Sequence, residues 1–211
     1  MAYQYRTDVH VGLRPMHEGD LAVIEGWLRL PHVAKWWLAH STVHADLDAM
    51  RDRVCGEADA ATHMLVVVED SRSIGWAQWY CWNDYPAEAA AIGAELGEVG
   101  IDYAIGDPAA IGRGLGTEMI AALVHHVHHR HPGAGLLVGP DAENLPSRAV
   151  LDHNGFQLVA VRPVVTEATD APIAIYRLLP PVIRLTSATD ARVVGRMLNE
   201  FNREHGKPTP E

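Results

Sequence analysis

Hydrophobic and polar positions change their period repeatedly along the chain, and each change predicts a boundary. Residues 10–16 read as a short strand. Residues 20–30 place Leu21, Ile24, Trp27 and Leu28 at helical spacing, so an amphipathic helix is expected. Pro31 suits the first turn of a short second helix carrying Val33, Trp36 and Trp37. A third helix is expected around 45–55. Two strands follow, a β-branched run at 63–69 and an alternating run at 74–82 around Gly75, with residues 70–73 as their hairpin connection. The Ala-, Gly- and Pro-bearing stretch 83–97 has the composition of a mobile flap, with a helical turn or two available at 87–94.

The second half is punctuated by glycine. A strand at 98–105 runs into the turn Gly112, Arg113, Gly114, Leu115, Gly116, and a long helix is expected over 117–130. A short apolar strand at 136–138 precedes a helix at 144–153 that Gly155 stops. Runs at 156–165 and 173–179 close the pattern as an antiparallel pair. The order predicts an α+β fold, a mixed central sheet flanked by helices, with the glycine turn joining the fourth strand to the main helix. After Pro180 and Pro181 the pattern of the N-terminus returns. Val182, Ile183, Arg184 and Leu185, then Asp190, then Val193, Val194, Met197, Leu198 and Phe201 parallel Val11, Leu13, Arg14, Asp20 and the helix after them. Residues 8–180 are thus read as one domain, and 181–211 as a strand–helix extension, with two readings open: the truncated start of a second domain of the same fold, or a C-terminal strand and helix that pack on the first domain.

Composition narrows the function classes. The net charge is −10, which argues against a phosphate-binding stripe and hence against nucleic acid, and suits a cationic ligand. Cys55 and Cys81 stand in no metal-ligand spacing and read as reduced thiols. No apolar run reaches the ~20 residues of a membrane span, and the N-terminus lacks a basic region followed by an apolar one. A cytoplasmic protein is the expectation.

The run DPAAIGRGLGT at 107–117, between a strand and a helix, is the strongest chemical signal. Glycines let the backbone approach an anion, and the first helical turn offers unpaired N–H groups at a positive dipole end. The pattern lacks the Lys of a P-loop, and the hairpin upstream is not the βαβ unit of a dinucleotide fingerprint. Asn144 follows on the later helix, with Asn154, Gly155 and Phe156 at its end. This pair of motifs resembles the acetyl-coenzyme A signature of the GNAT superfamily. The resemblance implies acetyl-CoA as co-substrate and a cradle of Ile111, Gly112, Arg113, Gly114, Gly116 and Thr117, with Asn144 and Ser147 on the pantetheine side. Ile111 departs from the family, which has Arg or Gln there.

A narrower resemblance covers residues 11–180. Leu13 and Arg14, Trp27 and Leu28, the box Pro31, His32, Val33, Trp36, Trp37, the run Gly75 to Gln78 and the triplet Gly100, Ile101, Asp102 are similar to the aminoglycoside 6′-N-acetyltransferases. It implies Asp102 as base or amine-positioning carboxylate, and an acceptor site of Trp37, Gln78, Asp84, Asp102 and Asp170 for a cationic aminoglycoside-like molecule. It also implies a monomer or homodimer. Glu88, Glu95 and Glu98 add to the expected field. The chemistry is coherent, because an ammonium must lose a proton before attacking a thioester, and a carboxylate within reach takes it. A backbone N–H near Tyr103 or Ala104 would meet the oxyanion. The family's usual general-acid Tyr falls on Leu151, leaving solvent or Tyr103. The histidines 125–131 invite a metal, but His125 and His129 share the expected solvent face and no third ligand completes a site. No metal is expected. Two other readings stay open: an N-acyltransferase of a siderophore pathway acting on a hydroxylated lysine side chain, and a non-catalytic acyl-CoA-binding sensor.

Overall fold

Seven strands form one mixed sheet in the order β1-β2-β3-β4-β5-β7-β6 in the computed structural model, which describes residues 11–38, 41–56, 61–164 and 172–180. The strands are β1 (Val11–Pro15), β2 (Thr62–Glu69), β3 (Arg72–Cys81), β4 (Val99–Ile105), β5 (Leu136–Val138), β6 (Gln157–Pro163) and β7 (Pro172–Leu178). The helices are α1 (Leu21–Leu28), α2 (Pro31–Trp37), α3 (Val43–Cys55), α4 (Pro86–Ile92), α5 (Leu115–Arg130) and α6 (Leu145–His153). The expected order holds. The tail at 181–211 lies outside the described residues.

Period-2 alternation sends successive strand side chains to opposite faces, and each face has its own core. On one face Ala77, Trp79 and Ile101 pack against Met119, Ile120, Leu123 and Val127 of α5 and Leu151 of α6. On the other, Val66 and Trp76 pack against Ile24 and Leu28 of α1, Val33 of α2 and Leu47 and Met50 of α3. Trp76 is the anchor there, stacked on Trp27 at 6.2 Å and met edge-on by Trp37 at 4.9 Å. Arg14 and Asp20 clamp β1 to the start of α1 through paired bonds of 2.7 and 2.6 Å. That clamp is the physical content of the Arg and Asp in the N-terminal pattern, and Arg14 holds Asp20 below the usual carboxylate range.

Two local expectations need correction. The β2–β3 turn is tighter than four residues: Asp70 and Ser71 alone make it, both at positive φ (46° and 71°), the geometry that matches the twist of paired strands. The second is the flap. Residues 86–92 form α4, and Ala89, Ala91 and Ile92 pack with Trp82, Leu137, Val164 and Ile175. Arg162 donates to the carbonyls of Ala91 and Ile92 and Arg177 to that of Gly93, holding the helix's C-terminal end on the sheet. An alanine run needs only a shallow surface to bury itself, so composition alone misread it.

Between β4 and β5 the sheet opens. β4 pairs antiparallel with β3 over seven positions but meets β5, its only parallel neighbour, at Val99 and Leu136 alone. Beyond Val99 the β4 edge faces a slit, and the site is built there.

Candidate active site

A groove of about 390 Å³ lies along that slit, bordered by the end of β4, the glycine turn, the first turn of α5, the first turn of α6, and α2. Ile111, Gly112, Gly114, Gly116, Thr117, Asn144 and Ser147 all border it, as do Trp36 and Trp37. Gly112 and Gly114 stand at φ 74° and 84°, a left-handed region that most side chains avoid. Gly114 is the N-cap of α5, so the turn delivers the helix's free N–H groups to the groove. Asp107 steadies the approach by accepting from Ala109 N at 2.8 Å, capping a short 3-10 turn.

Arg113 is the exception among the expected cradle residues. Its guanidinium is turned back onto Glu69 in a bidentate pair of 2.8 and 2.7 Å. Arg72 also reaches Glu69, at 3.3 Å, and the two cations hold that carboxyl below its ordinary range. Arg113 therefore offers the groove backbone only. Asn144 caps α6, its Oδ1 accepting from Ser147 N at 3.2 Å, which leaves its amide N–H₂ for a ligand. Ser147 Oγ lies 2.7 Å from the Tyr103 hydroxyl, bridging α6 to β4. Burial drives the Tyr103 phenol well above its usual range, so it enters the groove protonated, a hydrogen-bond donor.

The opposite face of β4 carries Asp102. Gln78 stands across from it in the β3–β4 register, and Gln78 Nε2 donates to Asp102 Oδ2 at 2.7 Å. Arg53, in the last turn of α3, donates to Gln78 Oε1 at 3.1 Å. Tyr80 lies flat across Gly100: a Cβ there would stand 2.3 Å from its ring and 2.9 Å from its hydroxyl oxygen. The glycine of the Gly100, Ile101, Asp102 triplet is thus the floor on which Tyr80 rests beside the carboxylate. Burial pushes Asp102 up from the usual carboxylate range, while Gln78, Arg53 and Tyr80 pull it back. Arg53 and Tyr80 carried no sequence signal of their own. An arginine on an amphipathic helix and a tyrosine in a strand have many bland uses.

The other expected acceptor residues separate. Asp84 is exposed in a 3-10 turn after β3, and its charge bears on His63 and Cys81. It is absent from the groups that set the ionisation of Asp102. Asp170 lies outside the described residues. Glu95 and Glu98 are engaged by Arg177, at 3.0 and 2.7 Å, and lie outside the groove at the slit; Glu88 is exposed on α4. Leu151 is wholly buried under α5 and faces no groove. The histidines divide as expected at His125 and His129, which are exposed. His126 and His131 instead turn edges toward Trp79, which His63 stacks on at 3.9 Å, and burial together with Arg130 lowers His126 to about 4. Among the described residues no group of three or more His, Cys, Asp or Glu is placed to hold a metal ion. No helix among them is long and apolar enough to cross a membrane.

Comparison with known proteins is consistent with this geometry. Residues 16–163 match the model of an acetyltransferase (GNAT) domain family. The chain is 26% identical over 156 residues to the aminoglycoside N(6′)-acetyltransferase type 1 of Klebsiella pneumoniae, and to that of Serratia marcescens, covering 70% of this chain and 74% of each relative. Among solved structures, aminoglycoside acetyltransferase AAC(6′)-Ib with coenzyme A and kanamycin superposes at a TM-score of 0.61 and 25% identity, over 80% of this chain and 94% of that one. An acetyl transferase from Salmonella typhimurium that modifies the N-terminal serine of a ribosomal protein superposes at 0.64 with 14% identity, over 82% and 97%. The match spans most of the chain and takes in both the glycine turn and α6, and on it the chain belongs to the GNAT acetyltransferases.

Proposed function

We propose that this chain transfers the acetyl group of acetyl-CoA directly to a primary amine of an aminoglycoside, at the 6′ position, with Asp102 as the base. The observation that carries the reading is Asp102 itself. It is a half-buried carboxyl with a raised pKa on the strand that walls the cofactor groove, and one of its oxygens remains free of Gln78. A base nearer neutrality than an ordinary carboxylate is better matched to an ammonium proton. In the reaction the amine nitrogen bonds to the thioester carbon, the C–S bond breaks, and the amine proton passes to Asp102, directly or through one water. The glycine turn and α5 would hold the pyrophosphate, and a β4 amide near Tyr103 or Ala104 would meet the oxyanion. The leaving thiolate takes a proton from solvent, and Tyr103, which burial keeps protonated, can donate a hydrogen bond to it. The relatives' names and the kanamycin bound to a neighbour support the acceptor class.

The test is thiol release from acetyl-CoA with kanamycin or tobramycin, wild type against Asp102→Asn. Turnover by wild type with a loss of about two orders of magnitude or more in the variant is expected. Turnover untouched by the substitution would keep the acceptor and remove Asp102 as base. Cofactor binding without turnover of any aminoglycoside would return the siderophore and sensor readings.

A further inference from the structure

Asp102 does not stand alone on its face of β4. Gln78 is 8% exposed, and both ends of its amide are spoken for inside the protein: Nε2 donates to Asp102 Oδ2 at 2.7 Å, and Oε1 accepts from Arg53 Nη1 at 3.1 Å. Those two bonds fix which end of the amide faces the carboxylate, since an arginine can only donate and so claims the oxygen. Without Arg53 the amide could turn over and present its oxygen to Asp102, a contact that repels the charged form and accepts from the neutral acid. We infer that Arg53 is a positioning residue that acts through Gln78 to hold Asp102 ionised. Gln78 is by the same geometry a relay between α3 and β4 rather than a ligand of the substrate.

This inference rests on the reading of Asp102 as base, and it explains how a half-buried carboxyl keeps its charge. Among the described residues, the side chains that act on Asp102 are Arg53 from α3 and Gln78 and Tyr80 from β3, and Arg53 is the one cation among these three. Tyr85 packs edge-on against Tyr80 at 5.2 Å behind them. Burial works against the carboxylate, while the Gln78 bond, the Arg53 charge and the Tyr80 hydroxyl work for it. Removing Arg53 takes away both its charge and the orientation of the amide, so the proton affinity of Asp102 should rise.

The experiment is a titration of the Asp102 carboxyl carbon by NMR in protein with ¹³C-labelled aspartate, its signal assigned by its loss in Asp102→Asn. It is run on wild type, Arg53→Met, Arg53→Lys and Gln78→Leu. Arg53→Met is expected to move the midpoint upward by about one pH unit, Gln78→Leu by a similar amount, and Arg53→Lys by less. An unchanged midpoint in correctly folded Arg53→Met would overturn the inference, whatever the substrate is. With an active acceptor, the acid limb of kcat/KM should shift upward with the midpoint, giving about a tenfold loss below it and little loss at high pH. A uniform loss at every pH would also sink the idea, since that is what mere disruption of the fold gives. Asp102→Asn tests the base on its own: if it stays active while Arg53→Met still shifts the midpoint, the relay stands and the base assignment falls.

Discussion

The two faces of β4 hold the two halves of the proposed site, and they are made of different material. On the groove side the binding elements are backbone: two glycines at positive φ, the free amides of α5, the open edge of the strand. Arg113 shows how little the side chains matter there, since its guanidinium is committed to Glu69 while its amide stays in the turn. On the other side the elements are side chains from separate parts of the chain, Arg53, Gln78, Asp102 and Tyr80, each dependent on the next. A backbone-built site tolerates a change such as Ile111 at its rim. A side-chain-built site should fail when any member is cut.

The largest expected effect tests that contrast directly. Asp102→Asn should lower kcat/KM by about two orders of magnitude or more, yet leave the dissociation constant of acetyl-CoA within about twofold, measured by calorimetry. The same variant should be the more stable one at neutral pH. An acid with a raised folded-state pKa contributes stability that is present below its unfolded pKa and lost as pH rises through the folded value. Asparagine escapes that loss, so unfolding in urea should show a gain of about 1 kcal/mol at neutral pH, shrinking toward nothing near about pH 4. A variant that loses stability at neutral pH would mean the carboxylate is held better than its burial implies.

Next comes the groove. Gly114→Val puts a branched side chain at φ 84°, a cost on the order of 1–3 kcal/mol, and the KM for acetyl-CoA should rise about tenfold while the Asp102 titration stays put. If both move together, the two faces are one unit and the comparison breaks. Asn144→Ala removes the cap of α6 and should cost about 1 kcal/mol in urea unfolding, with a further loss of cofactor affinity if the freed amide binds the pantetheine. The smallest effect is a gain: Ile111→Arg adds a cation at an exposed groove position and should tighten acetyl-CoA by about two- to fourfold, an increase that salt erases.

What the sequence disclosed follows the same division. A glycine turn before a helix leaves its mark in consecutive residues, because local backbone geometry dictates residue type. The groove was legible for that reason, and Asn144 and Ser147 are on its border. The Gly100, Ile101, Asp102 triplet was legible as a pattern, but the reason for its glycine, the ring of Tyr80, lies on another strand. Arg53 is 49 positions from Asp102, and nothing local to either announces the other. The misreading of 83–97 had a related origin. Its docking depends on Arg162 and Arg177 far along the chain, whose partners are carbonyls that every residue possesses. Glu95 and Glu98 read as unpaired acidic charge because nothing local in the sequence announces Arg177 as their partner.

The single meeting point of β4 and β5 has a mechanical consequence. The sheet is two plates, β1 to β4 and β5 with β7 and β6, riveted near Val99 and gaping beyond it. Strain applied across the sheet concentrates at that rivet, with α5 and α6 as the straps on one side. Whatever fills the gap becomes a structural part as well as a reactant. Backbone amides on the slit edge should exchange with deuterium quickly in the empty protein and slowly once acetyl-CoA is added, while those bonded to β3 change little. The enzyme would then be stiffest just when its co-substrate is aboard, and would loosen again as each turnover empties the seam.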